Sequence, residues 1–189
     1  MLIFVTGGVR SGKSSYAESL AMSMQTDQSQ KLYYIATSVA ADDEMRIRIN
    51  RHQQIRELSS SNWHVIEKAY DLQELLHQFN DQDVVLIDCL TTLLSNEWFG
   101  RVQVEMKKWD NLDYQVSMIV RIKELLKMLA EANWTTVLVS NEVSYEANND
   151  DLIHTYKKRL GELHLHAVEC AKRAIFVESG IPMVMKKSE

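Results

Sequence analysis

Apolar residues along this chain fall into two alternating rhythms. Short, nearly unbroken apolar runs read as strands buried on both faces: Leu2-Ile3-Phe4-Val5, Leu32-Tyr33-Tyr34-Ile35-Ala36-Thr37, Val84-Val85-Leu86-Ile87, Thr135-Thr136-Val137-Leu138-Val139-Ser140 and Ala174-Ile175-Phe176-Val177. Between them apolar positions recur at intervals of three and four. Ala17, Leu20, Ala21 and Met24 predict a helix over 15–24, and Ile119, Ile122, Leu125, Leu126 and Leu129 predict one over 116–129. Residues 152–170 read as a further helix, and 42–57 as a charged one. Gly180 and Pro182 predict a turn before a short closing strand, 183–185. Strand and helix in alternation imply an α/β fold, a mostly parallel sheet with right-handed crossovers and helices on both faces. No repeat or low-complexity linker interrupts the pattern, so 1–189 reads as a single domain.

The first strand runs directly into Gly7-Gly8-Val9-Arg10-Ser11-Gly12-Lys13-Ser14, and the first helix follows at once. Two glycines bracketing four residues, then Lys-Ser, is the spacing of a phosphate-binding loop, which makes the expected fold P-loop NTPase-like. Gly7 and Gly12 are expected to give the backbone conformations closed to residues with a Cβ, turning successive N–H groups inward around phosphates. Lys13 supplies a point charge for the β- and γ-phosphates, and Ser14 a hydroxyl for Mg²⁺. Both stand at a helix N-terminus, where unpaired N–H groups already favour an anion.

Composition narrows the class. The 189 residues are 46% hydrophobic and 25% charged, ordinary for a soluble globular protein. A net charge of −5 with no basic tract argues against nucleic acid as a partner. The N-terminal run lacks a charged region before it and a cleavage site after it, and no apolar stretch approaches membrane-spanning length. A cytoplasmic setting follows as the expectation. Cys89 and Cys170 then read as free thiols, and the histidines 64, 77, 154, 164 and 166 as surface or packing residues, because no converging set of metal ligands is legible.

Asp88 ends the apolar run 84–87. A P-loop enzyme needs a carboxylate at the end of a neighbouring strand to orient Mg²⁺, although an Asp after a strand is also a common turn residue. Beside the P-loop, Asp88 and Ser14 become the metal candidates.

Four stretches, GGVRSGKS, YIATSVAADDEMRIRINRHQ, IDCLTTLLSN and LVSNEVS, taken in this order and at these separations, resemble the bifunctional adenosylcobinamide kinase and adenosylcobinamide-phosphate guanylyltransferase family of cobalamin biosynthesis. The resemblance implies two reactions. ATP or GTP phosphorylates the aminopropanol hydroxyl of adenosylcobinamide; GMP then passes from GTP, through a histidine-bound intermediate, to the new phosphate. It also implies a homotrimer with active sites near subunit boundaries. The guanylylated histidine falls on His52, which follows the acidic DEM segment. On residue pattern alone, His52 reads first as a polar side chain on a solvated helix. A neutral imidazole is nonetheless a competent nucleophile near neutral pH, and Arg48, Arg51 and Arg56 lie close in sequence to offset triphosphate charge. The expected catalytic pair is His52 and Lys13. The expected nucleotide-binding set is Gly7, Gly8, Val9, Arg10, Ser11, Gly12, Lys13, Ser14, Thr37, Ser38, Arg48, Arg51, Glu67 and Asp88. The segment 37–41 is the expected hinge for the histidine helix. Asn141 and Glu142, after a sheet strand, should face the same cleft, with Thr91 and Asn96 as weaker candidates.

Beyond Val143 the resemblance weakens: Ser144 replaces an expected glycine, a proline is missing before Asp151, and His164 stands where an asparagine is expected. The expected consequence is a remodelled loop beside the corrinoid. Two other readings stay open, a small-molecule P-loop kinase or NTPase without a covalent nucleotide, and a nucleotide-binding regulatory protein that has lost turnover.

Overall fold

The computed structural model of the protein describes residues 1–27, 29–38, 62–100, 111–143 and 151–188. The expected charged helix 42–57 lies outside them. Seven strands form one sheet: β1 (Leu2–Gly7), β2 (Leu32–Ala36), β3 (Trp63–Glu67), β4 (Val84–Asp88), β5 (Thr135–Asn141), β6 (Arg173–Glu178) and β7 (Ile181–Lys187). The described helices are α1 (Lys13–Met24), α2 (Leu90–Phe99), α3 (Leu112–Glu131) and α4 (Asp151–Cys170), with a 3-10 turn over Leu72–Gln78. The sheet order is β3-β2-β4-β5-β1-β6-β7, parallel except for β7. No described helix is long and apolar enough to cross a membrane.

The unbroken apolar runs are explained by burial on both faces. Ile3, Val5, Leu86, Val137 and Val139 point to one side and pack on α1 through Ala17 and Ala21. Leu2, Phe4, Val85, Ile87 and Leu138 point to the other, where α2, α3 and α4 contribute Leu90, Trp98, Met118, Ile122, Leu126, Leu160 and Leu163. The α3 seam predicted from spacing is the buried stripe found, Ile119, Ile122, Leu125, Leu126 and Leu129, and an Asn111 side chain accepting from the Tyr114 N–H caps its start.

Three elements depart from the expectation. β3 has no apolar run; its Trp63-His64-Val65-Ile66-Glu67 is an edge strand with one side open, fixed by parallel pairing to β2 and by His64 against Tyr33. α2 begins two residues after Asp88 with no side-chain cap, and is held from its other end by Trp98, which is fully buried. The closing turn is the pair Ser179-Gly180, both at positive φ (51° and 80°), the backbone a two-residue hairpin requires. Pro182 therefore lies inside β7 rather than in the turn, tolerated because β7 is an edge strand. β7 is correspondingly longer than expected, seven residues.

Trp98 ties α2 to α4 through a tilted contact with Tyr156, with Phe99 stacked beside it on α2. Trp98→Ala should lower unfolding free energy by about 3–5 kcal/mol, the usual cost of emptying a buried aromatic site, measured by urea titration followed by circular dichroism.

Candidate functional site

The carboxyl ends of β1, β4 and β5 meet at one edge of the sheet, where an α/β protein binds ligands. β5 stands between β1 and β4, with Gly7 opposite Asn141 and Val139 opposite Asp88. The P-loop and the candidate metal carboxylate are thus two strand spacings apart, roughly 10 Å.

The loop closes on itself. The Ser11 N–H donates to the Gly8 carbonyl (3.2 Å), Gly12 takes a left-handed φ of 87°, and α1 starts at Lys13 with the Tyr16 N–H on the Gly12 carbonyl (3.0 Å). Lys13 is buried, its ammonium donating to the Gly8 carbonyl at 3.1 Å, so the charge is held inside the loop. Val9 and Arg10 are exposed at its tip, and Ser14 is half-buried in the first turn of α1. Gly12 needs its glycine for conformation, as expected. Gly7 needs it for space instead: a Cβ there would collide with the Val177 carbonyl and come within 2.7 Å of Ser11 Oγ. The second support is the β6–β7 hairpin, whose Gly180 N–H donates to the Ser11 carbonyl at 2.8 Å.

Asp88 accepts a hydrogen bond from the Tyr34 hydroxyl (2.9 Å), which orients the carboxylate from the neighbouring strand. Thr37 is fully buried. Its hydroxyl donates to the Cys89 carbonyl (2.9 Å) and accepts from the Cys89 N–H (2.7 Å), while its own N–H donates to the Asp88 carbonyl. The side chain expected among the nucleotide ligands is a clamp that fixes the exit of β2 to the exit of β4. Asn96 of α2 adds to the clamp, donating to the Thr37 carbonyl (2.6 Å) and to that of Ala69 (3.3 Å). Ser38 follows at the same edge. Glu67, at the end of β3, shares the edge but lies four strand spacings from β1, roughly 19 Å. His52, Arg48, Arg51, Arg56 and positions 39–41 of the expected hinge lie outside the described residues, as does Ser144.

A polar chain runs beneath the end of β5. The Asn141 N–H donates to Thr91 Oγ1 (2.7 Å); Thr91 Oγ1 and Ser140 Oγ are 2.9 Å apart; Ser140 Oγ lies 2.8 Å from His164 Nε2; and His164 Nδ1 lies 3.9 Å from a Glu142 carboxylate oxygen. Burial holds the His164 pKa below its ordinary value, opposed in part by the Glu142 charge. His164 is therefore not a surface residue; it packs on Phe4 and belongs to the site's framework. Spacing along α4 hid this, because the partners come from β5. Cys89 is a buried free thiol, as expected, its pKa raised by burial and by the Asp88 charge.

A family model described as cobinamide kinase / cobinamide phosphate guanyltransferase matches residues 3–185. The chain belongs to that family. Among cobinamide kinase / guanyltransferase relatives, the bifunctional adenosylcobalamin biosynthesis protein CobU of Escherichia coli K12 is 34% identical over 189 residues, 98% of this chain and all of that one. The corresponding CobP protein of Pseudomonas aeruginosa PAO1 is 30% identical, covering 96% of this chain and 95% of that one. The four motifs thus pointed to the correct family, and it is a family of enzymes. Among solved structures, an ATPase of a bacterial type III secretion system superposes with a TM-score of 0.56 at 11% identity, over 97% of this chain and 56% of that one. At that identity the likeness bears on the fold alone, which is that of a P-loop NTPase.

Gly7→Ala should destabilise the protein by about 1–3 kcal/mol through overpacking against main chain that cannot swing aside, whereas Gly8→Ala, whose Cβ meets nothing within 4 Å, should unfold like the wild type. Paired denaturant titrations decide it.

Proposed function

We propose that the protein phosphorylates the aminopropanol hydroxyl of adenosylcobinamide with ATP or GTP, then transfers GMP from GTP through guanylyl-His52 to give adenosylcobinamide-GDP and pyrophosphate. The observation that carries this reading is the family match over 3–185, on a chain whose P-loop holds Lys13 folded inward at the mouth of β1.

In the first reaction the loop N–H groups and Lys13 hold the β- and γ-phosphates while the acceptor hydroxyl attacks in line. Its oxygen bonds to the γ-phosphorus, the bond to the bridging oxygen breaks, and nucleoside diphosphate leaves. Positioning and electrostatics carry most of the acceleration. The residues suit Mg²⁺: hard oxygen donors, one hydroxyl at Ser14 and one oriented carboxylate at Asp88, leave the remaining positions to phosphates and water. Bound there, the ion would neutralise charge on the triphosphate. Ser38, Arg48, Arg51 and Glu67 complete the proposed nucleotide-binding set, with Thr37 holding the edge from which they extend.

In the second reaction the His52 imidazole attacks the α-phosphorus of GTP and pyrophosphate leaves. The phosphate oxygen of adenosylcobinamide phosphate then attacks the same phosphorus and regenerates the imidazole. A homotrimer in the cytoplasm is the proposed assembly and setting. It would give cover to Ile181 and Met185 of β7, which are 66% and 71% exposed in the monomer.

Incubation with Mg²⁺ and α-labelled GTP should leave an acid-labile, base-stable label on the wild type and none on His52→Ala. A labelled His52→Ala protein would sink the histidine assignment. An unlabelled wild type that still phosphorylates adenosylcobinamide would leave a kinase without a covalent nucleotide step.

A further inference from the structure

The carboxylates at the carboxyl edge of the sheet have different surroundings. Among the described residues they are Glu67, Asp88, Glu142 and Glu178. Asp88 is engaged by Tyr34, Glu67 stands at the far edge strand, and Glu178 is exposed at the start of the closing hairpin. Glu142 is the one joined to the P-loop through the backbone: its N–H donates to the Gly7 carbonyl at 2.9 Å. It also follows β5, between the loop's strand and that of Asp88. Ser140 and Glu142 are two apart along extended chain and so share a side of the sheet, the side of α4 and not of α1. Since α1 and its loop hold the leaving phosphates, an in-line acceptor must arrive from away from them.

The polar chain under β5 has a direction. It starts at the Asn141 amide, which can only donate, to Thr91 Oγ1. With the proton of the neutral ring placed on Nδ1, facing Glu142, Nε2 is left to accept from the Ser140 hydroxyl, and Ser140 Oγ in turn to accept from that of Thr91. The opposite polarity would set the Nδ1 lone pair against a carboxylate. At 3.9 Å the contact is a charge–dipole attraction, not a hydrogen bond.

We propose that Glu142 is the base that receives the proton of the acceptor hydroxyl during phosphoryl transfer, and that His164 is a positioning residue that holds its carboxylate toward the P-loop. The inference rests on the kinase reading above. As the hydroxyl oxygen bonds to the γ-phosphorus, its proton moves to the Glu142 carboxylate; the electron pair of the broken bond goes to the departing diphosphate, and Glu142 later returns the proton to water.

The test compares Glu142→Gln, His164→Ala and His164→Asn with wild type in two assays, phosphorylation of adenosylcobinamide and Mg²⁺-dependent hydrolysis of ATP, in which water is the acceptor. Glu142→Gln should lower kcat about 100-fold or more in both, with the KM for ATP within about twofold and an unchanged unfolding temperature. His164→Ala should lower kcat about 10-fold at similar KM. His164→Asn, which offers an N–H donor and a carbonyl acceptor at one site, should restore most of it. Wild-type kcat in Glu142→Gln, or a loss that appears equally in KM, overturns the proposal, as does failure of Asn to improve on Ala. Wild-type inactivity toward adenosylcobinamide with ATP hydrolysis retained would instead overturn the kinase reading, while the hydrolysis arm still decides the role of Glu142.

Discussion

The site depends on how closely the main chain of β6 approaches the end of β1. Gly7 lies so near the Val177 carbonyl that no side chain fits between them, and two residues beyond β6 the hairpin tip returns to bind the loop through Gly180 and Ser11. A phosphate loop must hold several N–H groups convergent against their own repulsion and against the entropy of a glycine-bearing turn. Here the backing is backbone on two sides, which cannot change rotamer. The hairpin is therefore part of the phosphate site although no residue of it is expected to touch a phosphate, and its two residues at positive φ are what let it turn tightly enough to arrive there.

The placement of β5 between β1 and β4 is the second constraint. It separates the loop from Asp88 by two strand spacings and fills the gap with β5's own exit, so that Ser140, Asn141 and Glu142 lie between the P-loop and the Asp88 carboxylate. Two clamps keep this edge in register. Glu142 is bound to Gly7 through main chain, and Thr37 joins the exits of β2 and β4 by a hydroxyl that both gives and accepts. Both clamps are short and buried or backbone-borne, so the spacing between loop and carboxylate does not rest on long flexible side chains.

This explains what was legible in the sequence. The strand, loop and helix from Leu2 to Met24 are readable because the residue spacing that marks the motif is contiguous in sequence, and α3 is readable because its buried stripe repeats at helical spacing. β3 was not, because an edge strand with His64 and Glu67 exposes one side and lacks the apolar run. α2 was missed because Thr91 and Thr92 favour strand over helix and no capping side chain announces its start. In the sequence Gly7 reads as a conformational glycine, whereas the fold needs it for space, since its neighbour Val177 is remote in sequence. The framework role of His164 is hidden in the sequence for the same reason: Ser140 lies 24 positions away and Thr91 a further 49 from Ser140. Local chemistry was visible; the framework that orients it is made of long-range pairs.

The same framework bears on the proposal that one loop serves two phosphorus atoms. The segment bearing His52 leaves the sheet at Thr37, which is clamped at the carboxyl edge beside Asp88. β2 stands three strand spacings from β1, roughly 14 Å. Fifteen positions separate Thr37 from His52, and a chain of that length spans roughly 22 Å even when wholly helical. That contour is longer than the distance between β2 and β1, as the proposed role of His52 requires. Under the proposed two-reaction scheme, the groups fixed by β1, β4 and β5 would serve the γ-phosphate, and His52, carried on the longer connection beyond Thr37, would be the one that meets the α-phosphate.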